Sequence, residues 1–529
     1  MQKYPLTIDK FLDHAAKWSG TQEVVTASNG NVVSRLGYAQ LRERSNRLSG
    51  ALLNLGLQQG DRVGTLAWNT QSHFEMYYAI MGCGLVCHTL NPRFTAAHLA
   101  AIINEAEDRI LAVAADLSPL LTELLPLCPH LEHIIILDTK EKPLPVFKNH
   151  TAKVCAHEVL VKEHGTVCKW GQFDEESPAG LCYTSGTTGK PKGALYTHRS
   201  NYLHTLRALQ ADAMALRPDD VVLAAVPMFH ANAWGLPFAA PVVGAKLVLP
   251  GRQTDGESLA KIMRDEKVTI AVGVQTVWLG VIEYLDASGE NLPDLKRVLI
   301  GGSKCPDALM HRLESRLGAE IQTSWGMTEL SPLGTIAPPN SAGGHGSGRP
   351  PMGLDLKLTD VNGVTLSEQR GPVGHLKVKG ASVVGQYYKA KTTALDSEGY
   401  FDTGDLASID ENGNLTIRGR TKDLIKSGGE WINPAEIEEI IGAHPAVALV
   451  AAIGRPDPKW GERPVLIVEL SLGKTVEPAD LLVTLRGKIA TWWMPDQVVL
   501  IPSMPLAATG KIDKVRLRAE FNKGKYAAA

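Results

Sequence analysis

The segment Tyr183-Thr-Ser-Gly-Thr-Thr-Gly-Lys-Pro-Lys-Gly193 places three glycines, four Ser/Thr hydroxyls and two lysines within eleven residues. Glycines let backbone amides approach an anion, hydroxyls donate hydrogen bonds and lysines supply charge, which is the composition of a phosphate-binding loop. The segment follows the apolar run Ala179-Gly-Leu-Cys182, which reads as a short buried strand. The loop therefore stands at a strand's carboxyl end, where open α/β sheets bind ligands. It is not the common nucleotide P-loop, because Thr184 stands five residues before Gly189 and Pro191 follows Lys190. A helix cannot readily start at Lys190-Pro191 and continue, so a mobile loop is expected.

Further chemistry-bearing segments follow in order. Val226 to Phe238 puts His230 and Trp234 at (i, i+4) at a strand-to-helix turn. Arg297 to Cys305 reads as a buried strand ending in Gly301 and Gly302, where a planar base can lie flat against the backbone. Gln322 to Glu329 ends in Thr328 and the carboxylate of Glu329, a residue type that suits a hard cation also held by phosphate oxygens. Tyr400 to Asp405 closes on a carboxylate able to accept from two vicinal hydroxyls. Lys426-Ser-Gly-Gly-Glu-Trp-Ile432 is a glycine loop that can be reshaped, and Pro505 to Lys514 carries Lys511 directly after a glycine.

These segments must be positioned by a scaffold. From Thr7 to about Asp138 helical and strand patterns alternate, with a helix over Tyr38 to Leu57 and strands over Arg62 to Trp68, Arg109 to Ala114 and Glu132 to Leu137. The alternation resumes after the loop, with a helix over Asn201 to Ala213 and a strand over Val221 to Val226, and runs to Gln322. Such alternation predicts two parallel α/β sheets, each covered on both faces. Lys140 to Glu176, charged and proline-containing, is expected to link them over the surface. From about 353 to 418 short alternating runs and the turn pairs Asn362-Gly363 and Asn412-Gly413 predict a small antiparallel β subdomain, a barrel or distorted sheet. The expected division is residues 1–419 as a large N-terminal domain and 420–529 as a small α+β C-terminal domain. Within the latter, Pro434 to Gly442 should be a helix with proline in its first turn.

The 529 residues carry 54 Lys plus Arg against 56 Asp plus Glu, and a net charge of −2 gives no reason to expect nucleic acid or an anionic membrane as partner. Seven cysteines without a Cys-x-x-Cys pair argue against a disulfide framework or zinc site and for a reducing compartment. The N-terminus lacks the apolar core of a signal peptide, and no stretch reaches the roughly 18 apolar residues of an integral membrane segment. A cytoplasmic protein is expected, touching membranes only peripherally if its substrate is a lipid.

In order and spacing, the segments between about Ala179 and Leu517 resemble the motifs of the adenylate-forming (AMP-binding) superfamily, which contains acyl-CoA synthetases, luciferases and the adenylation domains of peptide synthetases. The resemblance implies that Thr184, Ser185, Gly186, Thr187, Thr188, Gly189 and Lys192 hold the ATP phosphates. Gly302, Ser303, Trp325, Gly326 and Met327 would line the nucleotide. Thr328 would bind the α-phosphate, Glu329 with Thr184 the Mg2+, and Asp405 with Arg420 the ribose. Tyrosine is usual where this chain has Trp325, a change that keeps a stacking surface but loses a hydroxyl. His230 would lie beside the substrate carboxylate, and Val274, Gly301 and Trp431 would line the acyl pocket with Trp234 as its gate. Lys422 would be the hinge of the C-terminal domain. Lys426, Ser427, Gly428, Gly429 and Glu430 would face coenzyme A, and Lys511 would bridge the carboxylate and the α-phosphate.

The implied reaction converts a carboxylic acid and ATP to acyl-AMP and pyrophosphate, then displaces AMP with coenzyme A. Rival readings are transfer of the acyl group to a separate carrier protein, oxidative light emission, and a nucleotide sensor without turnover. The pairing of Glu329 with Lys511 speaks against the sensor. The His-Ala-Asn-Ala-Trp and Gly-Glu-Trp-Ile segments are similar to those of medium- and long-chain fatty acyl-CoA ligases and of 3-methylmercaptopropionyl-CoA ligases, which take a short thioether acid, while aryl-alkanoic acids stay open. A homodimer is expected by the same resemblance.

Overall fold

The computed structural model describes residues 1–139, 144, 147, 150–184, 191–302, 305, 307–340, 346–428, 430–507 and 511–526. Two large sheets share one interior. The first runs in the order Lys153–Ala156, His133–Leu137, Ile110–Ala114, Arg62–Leu66, Val86–Thr89, Pro178–Thr184, Lys192–Thr197, parallel except for the last pair. The second runs Leu333–Ile336, Glu320–Gly326, Arg297–Gly301, Ile270–Val274, Val221–Ala224, Lys246–Leu249, Glu23–Ser28, Asn31–Gly37, antiparallel only at its two ends.

The strands are apolar on both faces, and their alternation sorts side chains between layers. Ile110, Ala112, Ile135 and Leu137 of the first sheet and Val222, Ala224, Leu247 and Ile270 of the second enter one shared core. Leu111, Val113, Ile134 and Ile136 face an outer core, and Leu223, Val248 and Ala271 face another on the far side. Between the sheets lies the helix Gln71–Gly82, buried along its whole length, as a helix sandwiched between two apolar faces must be. Its buried polar groups find partners across the seam: Tyr77 donates to the Met228 carbonyl and Tyr78 to that of Pro237 at 2.9 Å.

Two expectations need correcting. The hairpin Glu23–Ser28 and Asn31–Gly37 belongs to the second sheet, through parallel pairing with Lys246–Leu249, so the sheets are not two successive stretches of chain. Nor is Lys140 to Glu176 only a surface link: Lys153–Ala156 adds an edge strand to the first sheet, followed by the helix His157–Lys162. The physical reason is a buried charge network. Glu75, fully enclosed, receives two hydrogen bonds from Arg44 at 2.7 and 3.1 Å and lies 3.1 Å from His157 Nε2. Burial pushes the Glu75 carboxyl up, but His157 and Arg44 pull it further down, below its ordinary value.

Leu354–Thr359, Val373–Gly380, Phe401–Ile409 and Leu415–Arg420 form an open four-stranded antiparallel sheet with its own apolar core. Beyond it the chain makes a 3-10 turn at Thr421–Asp423 and a five-stranded sheet that includes Val447–Asp457, Gly461–Leu470 and Gln497–Leu500. The helix Pro434–Gly442 has the expected proline in its first turn, and Asn433 caps it by accepting from the Ala435 amide at 3.2 Å. Lys514 is ion-paired with Glu438 at 2.6 Å. Among the described residues no helix is long and apolar enough to cross a membrane.

Removing one member of a buried charge network leaves the others uncompensated. Glu75→Ala should therefore lower unfolding stability by about 3 to 5 kcal/mol in urea titration, while activity per folded molecule is retained. A loss within experimental error of zero would mean that Arg44 and His157 are satisfied without it.

Candidate active site

Parallel strands present their carboxyl ends along one edge, and the motifs gather there. Val274 ends one strand, Gly301 the next and Gly326 the third, while His230 follows the strand Val221–Ala224. The Gly301 backbone carries the indole of Trp234: a Cβ on Gly301 would come within 2.8 Å of Trp234 Cη2 and 2.6 Å of Ser324 Oγ. Gly302, with φ of +90°, leaves room for Val274 and for Lys511, whose Cε would lie 3.3 Å from a Cβ placed there. The two glycines thus admit an indole and a lysine stem.

The His230–Trp234 segment is not the start of an ordinary helix. Ala231, Asn232, Ala233 and Trp234 all have φ between 44° and 55°, and the right-handed helix begins only at Leu236. Left-handed backbone costs roughly 1–2 kcal/mol per L-residue, so this turn must be held from outside. Asn69 does so at its base, donating to the Val226 carbonyl at 2.7 Å and accepting from the Met228 amide at 2.7 Å. The tight turn displaces Trp234 from helical register with His230 and sets it over Gly301. Burial, and next the charge of Lys511, lower the His230 pKa to about 4, so its imidazole is neutral at physiological pH.

Asp405 is 2% exposed and both its oxygens are engaged. Arg420, its cross-strand partner, reaches Oδ1 through Nε at 2.8 Å, and the indole N–H of Trp325 donates to Oδ2 at 2.9 Å. Glu329 accepts at Oε1 from the Tyr387 hydroxyl at 2.8 Å, and the Lys192 ammonium lies 5.0 Å from the Tyr387 ring centroid. The neighbouring Thr328 is buried, and its carbonyl accepts from Tyr196 at 2.6 Å. Tyr387 carries no motif in the sequence. It is brought in because its segment pairs with the strand Lys192–Thr197 through an Ala194–Tyr387 bridge and a Tyr388 amide to Gly193 carbonyl bond of 2.8 Å.

Lys511 comes from the far end of the chain and enters the same space. Burial, then Arg420, lower its pKa to about 8, against the opposing pull of Asp405 and Glu329. Lys422 sits in the Thr421–Asp423 turn, and Arg518 grips that turn through Asp423 Oδ1 at 2.8 Å. Of the described residues in the segment Lys426 to Trp431, the Lys426 amide donates to Glu462 at 3.0 Å, Ser427 pairs with Gly461, and a Cβ on Gly428 would meet the Trp460 ring at 2.7 Å. Glu430 is exposed, and Trp431 is 53% exposed beneath the Lys426 ammonium. Thr184 closes the strand that leads into the phosphate loop, and Met327 stands between Gly326 and Thr328. Ser185, Gly186, Thr187, Thr188, Gly189, Ser303 and Gly429 lie outside the described residues.

Known proteins share this chain's fold and family. Residues 11–388 match the AMP-binding enzyme family and 436–511 the AMP-binding enzyme C-terminal domain. The chain is 40% identical to a 3-methylmercaptopropionyl-CoA ligase of Ruegeria lacuscaerulensis, with 98% of each chain covered. It is 38% identical to a medium-chain-fatty-acid–CoA ligase of Ectopseudomonas oleovorans, covering 98% of this chain and 97% of that one. In fold it is similar to the anthranilate CoA ligase AuaEII in complex with anthranoyl-AMP, with a TM-score of 0.89 at 24% identity and 99% of both chains covered. Two matched family regions, full-length relatives and a common fold together show that this chain belongs to the AMP-binding enzymes, among the acyl-CoA ligases.

Proposed function

We propose that this chain joins a carboxylic acid to coenzyme A in two steps: attack of the carboxylate on the α-phosphorus of ATP with release of pyrophosphate, then attack of the coenzyme A thiol on the acyl-adenylate with release of AMP. The observation that carries this reading is the entry of Lys511 into a space bounded by Gly302 and influenced by Asp405, Glu329 and Arg420. Two anions must approach one another in the first step, and a fixed cation between them stabilises the charge that develops. His230, being neutral, can donate an N–H to the carboxylate without competing with Lys511 as a second cation.

Glu329 and Thr184 are suited to hold Mg2+ against the triphosphate, with Thr328 at the α-phosphate. Tyr387 donates to Oε1 of Glu329, and a cation shared with phosphate oxygens needs only the other carboxylate oxygen. When bound, the metal would neutralise phosphate charge. Asp405 would accept from the ribose hydroxyls. Residues 420–529 would act as a lid turning at Lys422, withdrawing Lys511 and bringing Lys426 to Glu430 and Trp431 to the site for the second step. The similarity to 3-methylmercaptopropionyl-CoA and medium-chain-fatty-acid–CoA ligases supports an aliphatic or thioether acid, passing the Trp234 indole.

Pyrophosphate release, measured with ATP, Mg2+ and coenzyme A over an acid series from 3-methylmercaptopropionate through straight chains of increasing length to aryl acids, should peak in the aliphatic or thioether part. Turnover of aryl acids alone would overturn that assignment, and acyl-AMP made without any CoA thioester would favour the carrier-protein alternative. Lys511→Ala should slow acyl-adenylate formation on the order of a thousandfold, yet convert synthetic acyl-adenylate and coenzyme A to thioester at a near-normal rate; Trp431→Ala should do the reverse. Equal loss in both half-reactions for Lys511→Ala would point to one fixed site.

The pH dependence has a definite sign. Because the protonated ammonium is the working form and its pKa is lowered to about 8, kcat/KM for pyrophosphate release without coenzyme A should fall as pH rises through that value. Lys511→Arg, whose guanidinium does not titrate there, should abolish the limb. A wild-type profile flat to about pH 9.5 would exclude Lys511 as the titrating group.

A further inference from the structure

Trp325 replaces the tyrosine usual in this motif, and the structure shows where its extra atoms go. The strand Glu320–Gly326 pairs Trp325 with Thr335, and the neighbouring Gly334 lies under the indole: a Cβ there would come within 2.4 Å of Trp325 Cε3 and 2.5 Å of Cζ3. Only a residue without a side chain fits at 334, so the six-membered ring is seated on backbone and cannot shift toward it. The rest of the ring joins the apolar cluster of Leu330, Val384 and Phe401. Held on these sides and 8% exposed, the indole has one polar atom to place, and Nε1 donates to Asp405 Oδ2 at 2.9 Å.

The other carboxylate oxygen, Oδ1, is ion-paired with Arg420 Nε at 2.8 Å. Each carboxylate oxygen offers two lone pairs. The carboxylate is thus held at both oxygens, by Trp325 at Oδ2 and by Arg420 at Oδ1, and each oxygen has a second lone pair with which to accept. Two adjacent acceptors match two vicinal hydroxyls. We infer that Trp325 is a positioning residue for the ribose: its indole N–H orients the Asp405 carboxylate toward the 2′- and 3′-hydroxyls of the nucleotide, a role that a tyrosine stacked on the base does not supply.

The inference rests on the reading of Asp405 as the ribose acceptor, and the two can fail separately. The measurement is calorimetric binding of ATP and of 2′,3′-dideoxy-ATP to the full chain, for wild type, Trp325→Phe and Trp325→Tyr, with melting temperature recorded for each. Trp325→Phe keeps an aromatic ring and removes the donor. Trp325→Tyr restores the usual residue and guards against a phenylalanine variant that does not fold. The wild type should prefer ATP over the dideoxy nucleotide. Both variants should lose about tenfold of that preference, mainly through weaker ATP binding, with dideoxy-ATP affinity nearly unchanged.

Burial pushes the Asp405 pKa up, while Arg420, the Trp325 N–H and Lys511 oppose it. The acidic limb of ATP binding should therefore move to higher pH in both variants. Equal weakening for both nucleotides would show that the indole acts through the base or through packing, and would overturn the inference. A wild type that binds the two nucleotides equally would remove the ribose reading of Asp405 itself. Preference retained in a folded Trp325→Phe enzyme would leave Asp405 in place and eliminate Trp325 as its orienter.

Discussion

A carboxylate taken out of water must be compensated, and the compensation of Asp405 joins separate parts of the chain. Its own strand belongs to the small antiparallel sheet, Arg420 comes from the next strand, Trp325 from the end of the second large sheet, and Lys511 from the C-terminal unit. The small sheet and the C-terminal unit each have an apolar core of their own, and the buried charge is compensated where these parts meet. Buried polar contacts add little net stability against an apolar alternative; what they add is direction, because a hydrogen bond misaligned by a few ångströms is lost. The same holds at Glu329, where Tyr387 links the small sheet to the strand that leaves the phosphate loop.

The frame that makes such alignment possible is apolar. Two sheets share an inner core, and the wholly buried helix Gln71–Gly82 lies between them. Close-packed interiors deform little, so strand ends on the two sheets keep a fixed separation. That rigidity also sustains the left-handed turn at Ala231 to Trp234, which Asn69 and Tyr77 grip from across the seam. Strained backbone persists only where its surroundings over-determine it.

Much of this was legible in the sequence because the motif residues are local strings: a strand ending in glycines, a carboxylate after a turn, a lysine after a glycine. The strands Ile110–Ala114, His133–Leu137 and Val221–Ala224 and the helix Pro434–Gly442 follow from apolar runs and capping chemistry. What was not legible depends on partners far apart in the chain. The hairpin starting at Glu23 finds its sheet only through Lys246–Leu249, and strands buried on both faces carry no alternation to announce which sheet they join. The edge strand Lys153–Ala156 is short and lies in a charged stretch, and the Glu75 network beside it is invisible until helices from distant segments meet. Tyr387 and the Trp325 to Asp405 bond fail to show for the same reason, and nothing in Ala-Asn-Ala-Trp signals four successive left-handed residues.

The arrangement of charge also bears on how a two-step reaction could be ordered. In the present arrangement Lys511 lies beside Gly302 and Trp431 is exposed; on the proposed reading this orientation of the C-terminal unit would serve the first half-reaction. The lysine loses hydration on entering, a cost opposed by Asp405 and Glu329 and aggravated by Arg420. On the proposed reading, a bound triphosphate and carboxylate would add negative charge and favour the inserted lysine. Departure of pyrophosphate would remove most of that charge while the acyl-adenylate stayed behind. The inserted state would then lose its electrostatic support just when its task was complete, and the turn at Thr421–Asp423, held by Arg518 on Asp423 and by Thr421 Oγ1 3.3 Å from His375 Nδ1, is where the unit would swing on that reading. A ligand shifts a conformational equilibrium only by its differential affinity for the two states, and here the leaving group itself would carry that difference.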